Sequence, residues 1–271
     1  MRMIDLHSHI LFGIDDGADT LDTSVEMARI AVAGGTTHMA CTPHVQPGRY
    51  PNCAETILPA IRSLQAVLRQ RGIPLTLVAG ADVHIAWELP DRLANGEIPT
   101  LNRSRYFLLE PSHQLFTPKL EDFARRLLHG GYVPIITHPE RLEWIGRHYE
   151  VLHRLSGMGC PLQLTADSLV GRFGSEAEEV GLRILDDGLM CFVASDAHGI
   201  RRRTPELARA RKVVAARLGE RVAEDMFVSI PGLILRNAPL PRHQAMRRPV
   251  PQAGPNLGGL RKFAALMRAG S

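Results

Sequence analysis

At 271 residues, with 45% hydrophobic and 22% charged residues, the chain is long enough for one α/β barrel or two small domains. No stretch approaches the roughly 18 uncharged apolar residues that span a bilayer, and Asp5 and His7 come too soon for the apolar region of a secretory signal, so a cytoplasmic location is expected. The net charge of +4 arises in residues 241–271, which carry six Arg or Lys and no acidic residue, leaving −2 for residues 1–240; no nucleic-acid partner is expected despite a pI near 9.1.

Short apolar runs alternate with longer amphipathic ones, the pattern of βα units around a mainly parallel sheet. The first run, Met3–Leu6, ends in His7-Ser8-His9, with Asp15-Asp16 close behind. A helix over Ser24–Ala33 stops at Gly34-Gly35, and the run His38–Thr42 leads into Pro43-His44. Ala54–Arg71 reads as a helix ending at Gly72, with Pro59 marking a late start or a kink. The run Leu75–Ala79 is followed by Asp82, and Tyr106–Leu109 by Glu110. Thr117 and Pro118 read as the cap and first position of a helix closed by Gly130-Gly131. Val133–Thr137 runs into His138-Pro139-Glu140-Arg141, and Leu162–Thr165 precedes a helix over Glu176–Leu185. Met190–Ala194 runs into Ser195-Asp196-Ala197-His198, and Glu206–Leu218 is the last predicted helix.

Seven strands are thus expected within a single domain, residues 1–240, because no linker-like composition appears earlier. Residues 241–271, rich in Pro and Gly and ending in "LRKFAALMR", read as a flexible basic tail with a short helix-capable segment. Cys41, Cys53, Cys160 and Cys191 form no C-x-x-C pair and read as reduced thiols. None has an Arg six positions on, so the phosphate loop of cysteine-based tyrosine phosphatases is absent.

Six of the seven strand ends carry residues of metal-ligand or acid–base type. In a parallel barrel those ends converge on one face, so His7, His9, Asp16, His44, Asp82, Glu110, His138, Asp196 and His198 would meet. Imidazole with carboxylate suits zinc, manganese or iron, and so many donors exceed the needs of one tetrahedral ion, which implies two or three metals. Such a centre is hydrolytic in character. Arg141 and Arg203 point to a phosphate ester as the electrophile, because a guanidinium binds phosphoryl oxygens bidentately.

The motifs "DLHSHILFGIDDG", "TPH", "THPER" and "SDAH", with Arg203 five positions after the last, resemble the polymerase and histidinol phosphatase (PHP) superfamily. Within it they are most similar to the bacterial metal-dependent protein tyrosine phosphatases of the CpsB/CapC/YwqE type, over roughly residues 1–238. The resemblance implies a distorted seven-stranded (β/α)7 barrel of the PHP type. It also implies a manganese centre of two or three ions, with iron, zinc or magnesium as substitutes. The implied substrate is phosphotyrosine on an autophosphorylating bacterial tyrosine kinase linked to capsule or exopolysaccharide synthesis. Carried over by position, His7 and His9 would hold one metal with Asp196; Asp16, His44 and His198 a second; and His138 a third. Asp82 would bridge, Arg141 and Arg203 would bind phosphate, and Glu110 would be an acidic group near the site, taken as catalytic. The bridging position is commonly Glu in the family, so Asp82 implies either a closer backbone or a lost bridge.

Several neighbours have plainer readings. Asp15 reads as a turn residue before Gly17, His38 and His84 as core or supporting residues, and His113 as lining the way into the site. Glu140 either supports the site or pairs with Arg141; His129, His148, His153 and His243 read as solvated. Arg201 and Arg202 read as a basic surface attracting anionic substrates. Rival functions are a small-molecule phosphoesterase such as histidinol phosphatase, a non-catalytic regulatory PHP module, and a metal-dependent amidohydrolase. The last lacks an obvious strand-end Lys to form a bridging carbamate and would leave both arginines idle.

Overall fold

The computed structural model describes residues 2–241, so the predicted tail falls outside the described residues beyond Pro241. Nine strand segments are present: β1 (Met3–Asp5), β2 (Thr36–Cys41), β3 (His44–Val45), β4 (Thr76–Ala79), β5 (Asp82–His84), β6 (Tyr106–Glu110), β7 (Val133–Thr137), β8 (Leu162–Thr165) and β9 (Cys191–Ala194). All pair in parallel, in the orders β1-β2-β4 and β3-β5-β6-β7-β8-β9.

The nine segments fall into the seven predicted staves. Thr42-Pro43 separates β2 from β3, where a proline cannot donate to the ladder, and Gly80-Ala81 separates β4 from β5. The Asp82 amide donates to the Pro43 carbonyl at 3.1 Å across the breaks. The last stave meets the first through Asp196 N to His7 O at 2.9 Å and His9 N to Ala197 O at 2.8 Å, which closes the barrel.

Alternation along each stave separates two apolar clusters. Tyr106, Leu108, Ile135, Phe192 and Ala194 face the lumen, while Phe107, Leu109, Ile136 and Val193 face the helices. The helices are α1 (Leu21–Ala33), α2 (Ala54–Gln70), α3 (Leu89–Ala94), α4 (Leu120–His129), α5 (Glu150–Gly157), α6 (Ser175–Asp186), α7 (Ala208–Leu218), α8 (Glu220–Glu224) and α9 (Ile230–Leu235). A π-helical turn, Asp225–Ser229, joins the last two. Ile230 and Ile234 join the lumen cluster beside Tyr106 and Met190 and so close the N-terminal end of the barrel, leaving the other end open for a site.

Helix starts differ from expectation where side chains act from unexpected places. α1 begins at Leu21 because Thr20 Oγ1 accepts the Thr23 amide at 3.2 Å. Thr117 and Pro118 form a turn that delivers α4 at Leu120, with Thr117 O accepting Leu120 N at 3.1 Å, rather than the helix's own cap. α7 begins at Ala208, with the Glu206 carboxylate accepting the Arg209 amide at 3.0 Å. α2 starts at Ala54 and runs through Pro59. Cys41, Cys160 and Cys191 are buried, Cys53 is half-buried, and all four are free.

Candidate metal centre

The extended backbone after β1 sends His7 and His9 to one face because Ser8, between them, is pinned to the other. Its Oγ donates to Ala40 O at 2.6 Å and its amide to Thr42 Oγ1 at 3.0 Å. The following loop folds back over His9: Ala18 N donates to His9 O at 3.0 Å, and Gly17 packs so tightly that a Cβ there would lie 2.1 Å from that carbonyl. This is the physical content of the Asp-Asp-Gly motif.

The parity that buries Tyr106 and Leu108 in the lumen also delivers Glu110, and Asp82 and His84 share a face of β5. His138, Asp196 and Arg203 are placed by left-handed backbone, with φ of 33°, 51° and 51°. Such conformations cost a non-glycine residue on the order of 1 kcal/mol each and gather at functional sites.

The eleven predicted site residues converge on the C-terminal face. His7 Nε2 lies 3.2 Å from His9 Nε2, 3.3 Å from Asp196 Oδ1 and 3.4 Å from Asp82 Oδ2. His44 Nδ1 lies 3.4 Å from the same Asp82 oxygen and 3.2 Å from Glu110 Oε2, and Asp16 Oδ1 lies 3.5 Å from the Nε2 of both His44 and His198. Asp82 therefore stands between two histidine groups in spite of its shorter side chain. Just before it, Gly80 packs closely on the neighbouring stave, where a Cβ would meet Thr42 Cγ2 at 2.8 Å.

Four overlapping donor groups result: His9-Asp16-His44-His198, His7-His9-Asp82, His44-His84-Glu110 and Glu110-His113-His138, each with ligand atoms within 4.8 Å of one another. Both Asp82 oxygens, His138 Nδ1 and His198 Nε2 are buried without a hydrogen-bond partner. Buried polar atoms left unpaired are costly, and a cluster of them among imidazoles and carboxylates fits divalent cations.

The electrostatics follow from this crowding. Burial would lower the His7 imidazole, but Asp196 and Asp82 raise it to about 9. Burial and the neighbouring His9 push His198 down to about 4. Burial would raise Glu110, yet hydrogen bonds from His113, His44 and His84 hold it well below the usual carboxylate range. Asp196 is likewise held low against burial by Arg203, His7 and Arg141. Arg203 Nη2 donates to Asp196 Oδ2 at 2.5 Å and Arg141 Nη1 donates to the same oxygen, so both guanidinium tips converge on one point. Asp16, His44, Glu110, His138, Arg141 and Arg203 line a cleft of about 530 Å3 that also opens onto Arg49, Tyr50 and His113.

Several residues contribute more than the sequence suggests. Asp15 is a turn residue, accepting Gly17 N at 3.0 Å, but its Oδ2 also holds His9 Nδ1 at 2.6 Å and fixes that ring. Gln163 accepts from His7 Nδ1 at 2.9 Å and from His138 N at 3.2 Å; an amide side chain set between two leucines of β8 was its signal. His84 Nε2 lies 2.5 Å from Glu110 Oε2 and His113 Nε2 3.3 Å from Oε1, so both belong to donor groups. Their signal was spacing, two residues after Asp82 and three after Glu110.

Others stay outside the centre. Glu140 neither pairs with Arg141 nor supports a ligand; its Oε1 accepts Thr165 N at 2.9 Å and Ser168 Oγ at 2.8 Å. His38 bonds Thr37 Oγ1 at 3.0 Å, and His148 stacks on Phe116 at 3.8 Å rather than standing free in solvent. His153 pairs with Asp187, and His243 lies outside the described residues.

Comparison with known proteins agrees with this geometry. The family described as "Capsular polysaccharide synthesis, CpsB/CapC" matches residues 3–236. The tyrosine-protein phosphatase YwqE of Bacillus subtilis is 34% identical over 92% of this chain and 96% of its own. CpsB of Streptococcus agalactiae, also a tyrosine-protein phosphatase, is 27% identical over 87% of this chain and 99% of its own. A structure from a study of YwqE and the Streptococcus pneumoniae CpsB, described as metal-dependent tyrosine phosphatases, superposes with a TM-score of 0.85 at 34% identity, covering 89% of this chain and 97% of that one. A β-aspartyl dipeptidase from Fervidobacterium islandicum shares the barrel fold alone, at a TM-score of 0.54 and 13% identity over 89% of this chain and 75% of that one. By sequence over nearly its whole described length, and by fold, the chain belongs to the CpsB/CapC family.

Proposed function

We propose that this protein is a manganese-dependent tyrosine phosphatase acting on phosphotyrosine of an autophosphorylating bacterial tyrosine kinase linked to capsule or exopolysaccharide synthesis. The observation that carries the reading is the convergence of buried, unpartnered histidine and carboxylate atoms with two guanidinium tips aimed at one point. Family membership favours it over a histidinol phosphatase, and the complete donor set favours it over a non-catalytic module. Among the described residues no helix is long and apolar enough to cross a membrane.

His7, His9, Asp16, His44, Asp82, Glu110, His138, Asp196 and His198 would hold the ions, with His84 and His113 completing two of the groups. Divalent ions held there supply Lewis acidity toward phosphoryl oxygens and bring the ionisation of water near neutrality. Gln163 and Asp15 orient the imidazoles of His7 and His9. Arg141 and Arg203, which share one carboxylate oxygen of Asp196, are positioned to take phosphoryl oxygens and to stabilise the charge that grows there. A phenolate leaving group, with a parent pKa near 10, needs little protonation, so aryl esters require no strong acid from the protein. Glu110, facing four imidazoles, serves as a ligand carboxylate and not as a proton donor.

The test is hydrolysis of p-nitrophenyl phosphate, a phosphotyrosine peptide and histidinol phosphate after chelation, with manganese restored. Turnover of the aryl esters is expected to return with manganese and to be lost in both His138→Ala and Arg203→Ala. A large preference for histidinol phosphate, or activity indifferent to chelation, would overturn the reading.

A further inference from the structure

A second cavity, of about 440 Å3, is lined by Asp167, Arg172, Phe173, Arg201, Arg202 and Arg203. It adjoins the catalytic cleft. Arg203 lines both, and the Arg141 guanidinium sits 4.2 Å from the centre of the Phe173 ring, so Arg141 and Phe173 stand where the two spaces meet.

Four arginines here face one acidic residue. Asp167 is already paired with Arg172 at 3.3 Å, and Arg203 with Asp196. Among the described residues neither Arg201 nor Arg202 has an ion-pair partner, although both are exposed. The segments that carry the arginines are pinned. His198 N donates to Arg203 O at 2.8 Å, Arg172 N to Asp167 O at 2.9 Å and Gly174 N to Gly171 O at 3.2 Å. Like charges gathered side by side repel one another, and a concave wall focuses their field, so the cavity favours an anion. Hydrolysis of an isolated aryl phosphate uses neither Arg201 nor Arg202.

We infer that this arginine cavity is a subsite for a second anionic group carried on the same chain as the phosphotyrosine, either an acidic side chain or another phosphoryl group. The inference rests on the phosphatase reading and specifies its substrate class: a polyanionic segment rather than phosphotyrosine in neutral surroundings. Because Arg203 borders both spaces, the second anion belongs on a residue near the phosphotyrosine in sequence.

The experiment compares three phosphotyrosine peptides on the full-length, manganese-loaded protein: one with neutral flanks, one flanked by glutamates and one doubly phosphorylated. Rates are expressed as ratios to the neutral peptide within each enzyme, so any general loss of activity cancels. The wild type is expected to prefer the anionic peptides by about three- to tenfold in kcat/KM, the scale of two partly exposed charge-assisted contacts. That preference should shrink as salt is raised. It should fall to near unity in R201A/R202A and invert in R201E/R202E. Preference for the glutamate peptide alone identifies a carboxylate as the ligand, and preference for the doubly phosphorylated peptide alone identifies a phosphoryl group. Equal rates on all three peptides, or a preference that survives both variants, would overturn the subsite while leaving the phosphatase intact. Hydrolysis of none of them would instead sink the phosphatase reading, and fluorescence-anisotropy binding of the same peptides would then decide the subsite by itself.

Discussion

Replacing Glu110 with Gln separates two roles that the sequence leaves together, metal ligand and proton donor. The substitution keeps the shape of the side chain and removes its charge. Glu110 Oε2 lies 2.5 Å from His84 Nε2 and 3.2 Å from His44 Nδ1, while Oε1 lies 3.3 Å from His113 Nε2 and 3.6 Å from His138 Nε2. It is the sole carboxylate in two of the four donor groups, whereas the others keep Asp16 and Asp82. Loss of a residue that merely orients a ligand weakens metal binding about 10–100-fold, so loss of the anionic ligand itself should cost about 10²–10³-fold, or roughly 3–4 kcal/mol. The assay is elemental analysis after dialysis beside kcat on an aryl and an alkyl phosphate. Glu110→Gln should lose metal relative to wild type, and both esters should slow together. Full metal content with a selective loss on the alkyl ester is what a proton donor would give, and it would refute the ligand assignment.

Asp15→Asn should leave the fold intact and weaken metal binding about 10–100-fold, because the amide no longer fixes the His9 ring; circular dichroism with a manganese titration checks both halves. Gly17→Ala forces a Cβ to within 2.1 Å of His9 O, so a loss of about 1–3 kcal/mol and of bound metal is expected in thermal melts and elemental analysis. Gly146→Ala, where nothing lies within 4 Å, should change neither. Burial holds the Cys160 and Cys191 thiols at about 12 and raises that of Cys41 as well, so at pH 8 a thiol reagent should label Cys53 alone until the protein is unfolded.

The staves and most of the site were legible because each rests on a local pattern: a short apolar run, and a donor where that run ends. The divided staves were not, since β3 and β5 are two and three residues long and gain definition only from their neighbours across the sheet. Helices α3, α5, α8 and α9 went unread for a related reason: they are short, and packing against the barrel decides them. Asp15 and Gln163 were missed as supports of His7 and His9 because those contacts depend on where a loop folds back and on which of two parities faces the lumen. The phosphate-binding roles expected of Arg141 and Arg203 rest on residue type and on spacing within a resemblance, whereas their meeting on one oxygen of Asp196 is a fact of three dimensions.

The seam where Asp196 and Ala197 bond to His7 and His9 has a consequence for biosynthesis. Its partners are separated by about 190 residues of sequence, so this contact is among the most non-local in the chain. At about 5–20 residues per second, translation takes roughly 10–40 s to pass from the first histidine pair to the last. Through that interval the early donors exist without the seam that fixes them. Ring closure and completion of the ion-holding cluster both wait for the segment Ser195–His198. Whichever cation the finished cluster selects is therefore selected only once Asp196 and His198 have joined the earlier donors, not by the His-x-His segment alone.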